Sequence, residues 1–132
     1  MEQSSSVALD LNNLVKAQAV FERFRKNMQD DRDQAGAVQA FKICYELSWK
    51  TMKRILATQG VESTAPRDVF RKAALAQIID NPEPWFSFIE KRHLTSYTYD
   101  QENLDAIVES FDLFSAELAK AIEKMKISVP KG

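Results

Sequence analysis

Three stretches of the chain carry apolar residues at alternating spacings of three and four, the rhythm of one face of an α-helix. The longest run is Leu104, Ile107, Phe111, Phe114, Leu118, Ala121 and Met125. A second is Val38, Phe41, Tyr45, Ser48, Met52 and Ile55, widened by Ile43, Leu47 and Leu56. A third is Leu14, Ala17, Phe21, Phe24 and Met28. Only 3 Gly and 4 Pro occur among 132 residues, too few turn residues for a sandwich or barrel. With 45% hydrophobic and 28% charged residues, the composition is that of a soluble globular chain of one-domain size. The sequence therefore reads as all-α, a single helical domain over 1–132 with an ordered bundle over about 9–126.

The punctuation between the stripes places the helices. Residues 1–8 are Ser-rich and read as a frayed end. Asp10 suits the N-cap of a helix over about 11–29, and the polar segment DDRDQ at 30–34 reads as the loop after it. A second helix over about 35–59 ends at Gly60, with Lys53 and Arg54 near its negative pole. Pro66 belongs in the first turn of a third helix, where Asp68 favours the positive end. Asn81-Pro82-Glu83-Pro84 breaks that helix and starts a short fourth one, carrying Trp85, Phe86, Phe88 and Ile89 and fading near 92–95. Asp100 caps the last helix, whose acids come early and lysines late, and Pro130 closes the chain. The simplest packing is an antiparallel four-helix up-and-down bundle, with one position broken into two shorter helices.

Several function classes drop out. A formal charge of −1 and a pI near 5.9 argue against a protein that coats duplex nucleic acid, while leaving room for a local basic patch. Mean hydropathy is −0.36 and no long uncharged apolar run is present, so no membrane span is expected. MEQSSS has no apolar h-region, which points to the cytoplasm. The single cysteine, Cys44, lies in the apolar context FKICYEL and reads as a buried small hydrophobe. One histidine and one cysteine make no His/Cys metal cluster, and GxGxxG, P-loop, GxSxG and HExxH patterns are absent. No metal and no cofactor are expected.

Two segments carry candidate chemistry. In YELSWKTMKR, residues 45–54, Lys50 and Arg54 share a face and Glu46 stands four before Lys50. Two readings fit: a solvated face with local ion pairs, or a basic strip of Trp49, Lys50 and Lys53 that meets a phosphate or a partner. In KRHLTSYTYD, residues 91–100, a helix break gathers Arg92, His93, Ser96, Tyr97 and Tyr99. Either Thr95, Ser96, Thr98 and Asp100 satisfy backbone groups there, or Arg92 and the tyrosines bind phosphate and base. His93 has no paired carboxylate within the motif.

Together with APRDVFRKA at 65–73 and the Trp85 helix, FKICYELSWKTMKRIL and RHLTSYTYD resemble the nucleotidyltransferase substrate-binding protein family, a branch of the HEPN-like four-helix bundles. The likeness covers roughly residues 9–125. It implies a minimal nucleotidyltransferase as partner, within a module of toxin–antitoxin type. In active members the HEPN protein is a metal-independent endoribonuclease, silenced when the nucleotidyltransferase adenylylates a tyrosine of the motif loop.

The family's loop pattern is Arg, usually Asn, then Ser-His, one residue, and Tyr. Arg92, Ser96 and Tyr99 match it, while His93 stands in the Asn place and Tyr97 in the His place. The resemblance makes Arg92, Tyr97 and Tyr99 the catalytic candidates, and Tyr99 and Tyr97 the candidates for adenylylation. It makes Trp49, Lys50, Lys53, Arg92, His93 and Ser96 the candidate binding residues for nucleotide, RNA or partner. A phenol, with an ordinary pKa of about 10, is a poor acid–base substitute for imidazole at neutral pH. The implied reading is a weakly catalytic or non-catalytic partner subunit, the alternative an active ribonuclease toxin. The resemblance also implies a homodimer whose two loops line one groove, and 8 Phe, 2 Trp and 3 Tyr suit an aromatic interface. Lys50 is expected on the same side as Arg92.

Overall fold

The computed structural model describes residues 2–129, so Pro130, expected to close the chain, lies outside the described residues. Six helices follow one another: α1 (Glu2–Lys26), α2 (Asp31–Thr58), α3 (Pro66–Leu75), α4 (Pro82–Leu94), α5 (Gln101–Glu109) and α6 (Phe111–Ser128). No strand occurs among the described residues.

Local chemistry sets the boundaries, and corrects several expectations. α1 begins at Glu2, so residues 2–8 are helical and not frayed, and Val7 is buried. Asp10 is no N-cap; its carboxylate pairs with Arg54 Nε at 3.0 Å, one turn before the C-terminus of α2. α1 stops at Lys26, which leaves Met28 beyond the helix whose stripe it continues in sequence. DDRDQ starts α2: Asp30 is the N-cap and accepts from the Asp33 N–H at 2.8 Å, while Asp33 accepts from the Gln29 N–H at 3.1 Å. Acids in the first helical turn satisfy free N–H groups and favour the dipole, so this polar run belongs to the helix.

Two helix ends close in the same way. After α2, Gly60 takes a left-handed φ of 79°, its N–H bonds to Ala57 O, and the Val61 N–H bonds back to Leu56 O at 2.9 Å. After α3, Gln77 takes the left-handed place with φ 63°, and the Ile78 N–H bonds to Ala73 O at 2.8 Å. Burial of Ile78 holds this turn although Gln has a Cβ. Asn81 then caps α4, accepting from the Glu83 N–H at 3.0 Å, with Pro82 and Pro84 in the first turn.

The last helix is interrupted where the sequence reads as continuous. Ser110 Oγ donates to the Ile107 carbonyl at 2.6 Å and the Ser110 N–H shares that acceptor, which separates α5 from α6. The apolar stripe survives the break: Ile107, Phe111, Phe114, Leu118, Ala121 and Met125 are all buried.

Phe114 is the centre of the core. Its ring meets Phe21 of α1 at 5.4 Å, Phe41 of α2 at 4.8 Å, and Trp85 and Phe88 of α4 at 6.0 and 5.0 Å. The rings meet edge to face, the arrangement that aromatic quadrupoles favour. Six phenylalanines and Trp85 are fully buried inside this one chain, so the aromatic content by itself calls for no second copy. Gly36 lets α1 approach α2: a Cβ there would stand 2.6 Å from the Phe24 ring. A polar staple ties α1 to α6, with Ser115 Oγ donating to Glu22 and Arg25 Nη1 reaching Asp112 at 2.8 Å. Burial raises the Glu22 pKa, but the hydrogen bonds from Ser115 and Arg25 outweigh it and hold the carboxyl below its usual range.

Candidate functional site

Arg92 lies in the last turn of α4, and its side chain reaches across to α2. Its Nε donates to Glu46 Oε1 at 3.0 Å, and its Nη1 donates to Thr95 Oγ1 at 3.2 Å. The Thr95 hydroxyl in turn donates to the Arg92 carbonyl at 2.6 Å. The guanidinium is therefore held at two points while its side chain stays 31% exposed.

Glu46 organises the rest. Its Oε2 accepts from the Trp49 indole N–H at 3.1 Å and lies 4.0 Å from Lys50 Nζ. The Lys50 ammonium stands 5.9 Å from the Trp49 ring centroid, within cation–π reach. Arg92 and Lys50 thus share one carboxylate, on one side of the molecule. Two cations against one carboxylate leave this corner with an excess positive charge, although the chain as a whole is slightly negative. Tyr45, buried beneath, is a poor proton donor: burial drives its phenol well above its ordinary range, the Glu46 charge adds to the rise, and Arg92 partly offsets it.

Other expected residues divide into two groups. His93, Tyr97 and Tyr99 form an outward-facing row, with ring centroids 5.4 Å apart for His93–Tyr97 and 6.3 Å for Tyr97–Tyr99. Tyr97 is 40% exposed and Tyr99 85%. Ser96 is exposed beside them. Lys53 does not join Arg92; with Trp49 and Lys50 it lines a groove of about 460 Å³ between α1 and α2.

Chemically the corner can grip an anion better than it can move a proton. The one carboxylate at Arg92 is committed to the guanidinium, the indole and Lys50, and none pairs with His93 among the described residues. No group of three His, Cys, Asp or Glu side chains converges as a metal site among the described residues.

Sequence reasoning missed three parts of this corner. It placed Glu46 beside Lys50 but not on Arg92, because that contact joins residues 46 positions apart. It also missed Asn103, whose Nδ2 donates to the Tyr97 carbonyl at 3.2 Å and fixes the loop, and Lys42, which with Thr95 and Thr98 lines a cavity of about 340 Å³.

The sequence profile of the family described as "Nucleotidyltransferase substrate binding protein like" matches residues 9–127. A Haemophilus influenzae protein named "Probable ribonuclease HepT" is 34% identical over 97 residues, covering 70% of this chain and 66% of that protein. The matched region thus spans just under two thirds of that relative's length. A solved Haemophilus influenzae structure, described as showing the fold of a substrate binding domain of a nucleotidyltransferase, superposes with a TM-score of 0.81 at 29% identity. That match covers 88% of this chain and 98% of the other. A Thermus thermophilus crystal structure gives 0.80 at 20% identity, covering 86% of this chain and 98% of the other, and speaks to the fold alone. Among the described residues, no helix is long and apolar enough to cross a membrane.

Proposed function

The chain belongs to the nucleotidyltransferase substrate-binding protein-like family, and on that premise we propose that it is the partner subunit of a minimal nucleotidyltransferase, binding nucleotide or RNA at the Arg92 corner without efficient cleavage. The observation that carries this reading is the pairing of Arg92 and Lys50 on Glu46, with a phenol at position 97. Arginine is suited to phosphate by its planar fork of donors. Cleavage of RNA by its own 2′-hydroxyl needs more. A base must take the 2′-hydroxyl proton as that oxygen attacks phosphorus, and an acid must protonate the departing 5′-oxygen. Imidazole serves both near neutral pH, and its loss costs about 10²–10⁴-fold.

In this reading the protein works in the cytoplasm, within a module of toxin–antitoxin type. It is one domain over 1–132, with α1, α2, the α3/α4 pair and the α5/α6 pair as the four positions of an antiparallel, HEPN-like up-and-down bundle. Two copies form a homodimer that brings two Arg92 corners to one groove. Sedimentation of a monomer at micromolar concentration would remove the dimer from the proposal.

A second reading is an endoribonuclease toxin silenced by tyrosine adenylylation, favoured by the exposure of Tyr99. In that step the phenol oxygen attacks the α-phosphorus of ATP, pyrophosphate leaves, and the phenol proton passes to solvent or a base. Co-purification with the nucleotidyltransferase encoded alongside, intact-mass analysis for added AMP, and RNA cleavage by the unmodified protein test both. The first reading expects RNA binding, little cleavage, and a gain of cleavage in Tyr97→His. Robust cleavage by the unmodified protein, abolished in Arg92→Ala, reverses the order of the two.

A further inference from the structure

The cavity of about 340 Å³ is walled by the first half of α2, the loop joining α4 to α5 and the start of α5. Its chemistry is mixed. Lys42 supplies a cation, Gln34 and Gln39 supply side-chain amides, and Thr98 supplies a hydroxyl. Val38, which is buried, and Leu104 form its apolar part. Thr95 belongs to both places, lining the cavity and accepting from Arg92 Nη1 at 3.2 Å.

Lys42 is half-buried, yet no carboxylate pairs with it among the described residues. Its neighbour along the same helix, Lys50, has Glu46 as a partner. A partly desolvated ammonium without a counter-ion gains from an anionic group placed against it. Amide side chains carry a donor and an acceptor side by side and so match the edge of a nucleobase. An apolar floor accepts the face of a ring. The volume lies at the lower end of small-ligand sites, at about 300–1,000 Å³.

We propose that this cavity seats a single nucleotide, with its phosphate against Lys42 on the side where Thr95 meets Arg92 and its base edge against the Gln34 and Gln39 amides. Asp31, at the rim, is placed to accept from a ribose hydroxyl. The seat deepens the reading that this corner binds nucleotide or RNA, and it rests on that reading. The same chemistry is offered by a free mononucleotide and by one nucleotide of an RNA strand.

The test titrates the full-length protein with 5′-AMP and, separately, with a short oligo(A) RNA. Lys42→Met, which keeps the aliphatic stem, and Gln39→Ala are compared with wild type and with Arg92→Ala, with circular dichroism to confirm folding. Lys42→Met is expected to weaken binding about tenfold or more, the effect of losing a charge-assisted contact, and Gln39→Ala by a smaller factor. The loss with AMP identifies a seat for the free nucleotide; a loss with the RNA alone identifies a seat for one nucleotide of a strand. Binding that Arg92→Ala abolishes and both cavity variants leave within twofold of wild type overturns the seat while sparing the Arg92 reading. Binding of neither probe by wild type overturns both.

Discussion

Phe114 has no exposed surface and meets four aromatic rings from three other helices, whereas Tyr99 is 85% exposed and meets only Tyr97. Both are large aromatics on or beside the last third of the chain. In the interior, each ring's position is fixed by its neighbours, and the whole arrangement must be right at once. At the corner, the rings stand free of the core, and what is fixed there is polar: Arg92 on Glu46 and Thr95. Stability therefore resides in the first region and the proposed binding in the second, and substitutions should separate the two.

The largest effect belongs to the interior. Phe114→Ala removes the shared ring and is expected to cost about 3–5 kcal/mol of unfolding free energy, measured by urea titration. A cost below about 1 kcal/mol would mean that the core closes over the gap and that the ring is no keystone.

A second interior effect depends on pH. Burial, with a smaller contribution from the Glu22 charge, pushes the Cys44 thiol up to about 12, from an ordinary value of 9.0. The folded pKa is raised, so folding favours the neutral thiol. That contribution is full below the unfolded value near 9.0 and is lost progressively as pH rises toward 12. At a pH midway between the two the loss is on the order of 2 kcal/mol. Urea midpoints should fall over this window more steeply in wild type than in Cys44→Ala, and iodoacetamide should label Cys44 only on unfolding. Rapid native alkylation at neutral pH would contradict the burial argument.

These contrasts also mark how far the sequence could be read. The helical stripes were legible because burial imposes a three/four rhythm, and Phe21, Phe41 and Phe114 fall on it and in the core. The start of α2 was not, because Asp30, Asp31 and Asp33 are as polar in a capping turn as in a loop. The break at Ser110 was hidden because the apolar rhythm runs unbroken from Ile107 to Phe111. At the corner, the motifs singled out Arg92 and Lys50, and the structure sets both against one carboxylate. Glu46 on Arg92 and the Lys42 cavity were not, since polar side chains on the outer faces of two helices have no periodic signature that reports their meeting.

Glu46→Gln sharpens the comparison at the corner. Its ion pairs are partly exposed, so unfolding free energy should change by less than about 1 kcal/mol. Removing the one carboxylate leaves Arg92 and Lys50 uncompensated, so binding of an RNA oligonucleotide should tighten by about two- to fivefold at low salt and show a steeper salt dependence. Weaker binding would mean that Glu46 serves chiefly to hold Arg92 in place.

The smallest effect on stability is expected at Tyr99. Its ring touches only Tyr97 among the aromatics and the residue lies largely in solvent, so Tyr99→Phe removes a hydroxyl from an exposed side chain. Such surface changes fall within about 0.5 kcal/mol. The same exposure ranks the two tyrosines in the adenylylation reading. A nucleotidyltransferase must bring the α-phosphorus of ATP in line with a phenol oxygen, which demands an unobstructed approach to that oxygen. Tyr97 lies between His93 and Tyr99, with rings 5.4 and 6.3 Å away, and is less than half exposed. Tyr99 is the more open acceptor. In the adenylylation reading, incubation with a nucleotidyltransferase partner and ATP should therefore add AMP to wild type and to Tyr97→Phe, and add none to Tyr99→Phe, with all three unfolding at the same urea concentration. AMP carried by Tyr99→Phe and absent from Tyr97→Phe would assign the acceptor to the more enclosed ring, and the corner would then have to open before it reacts.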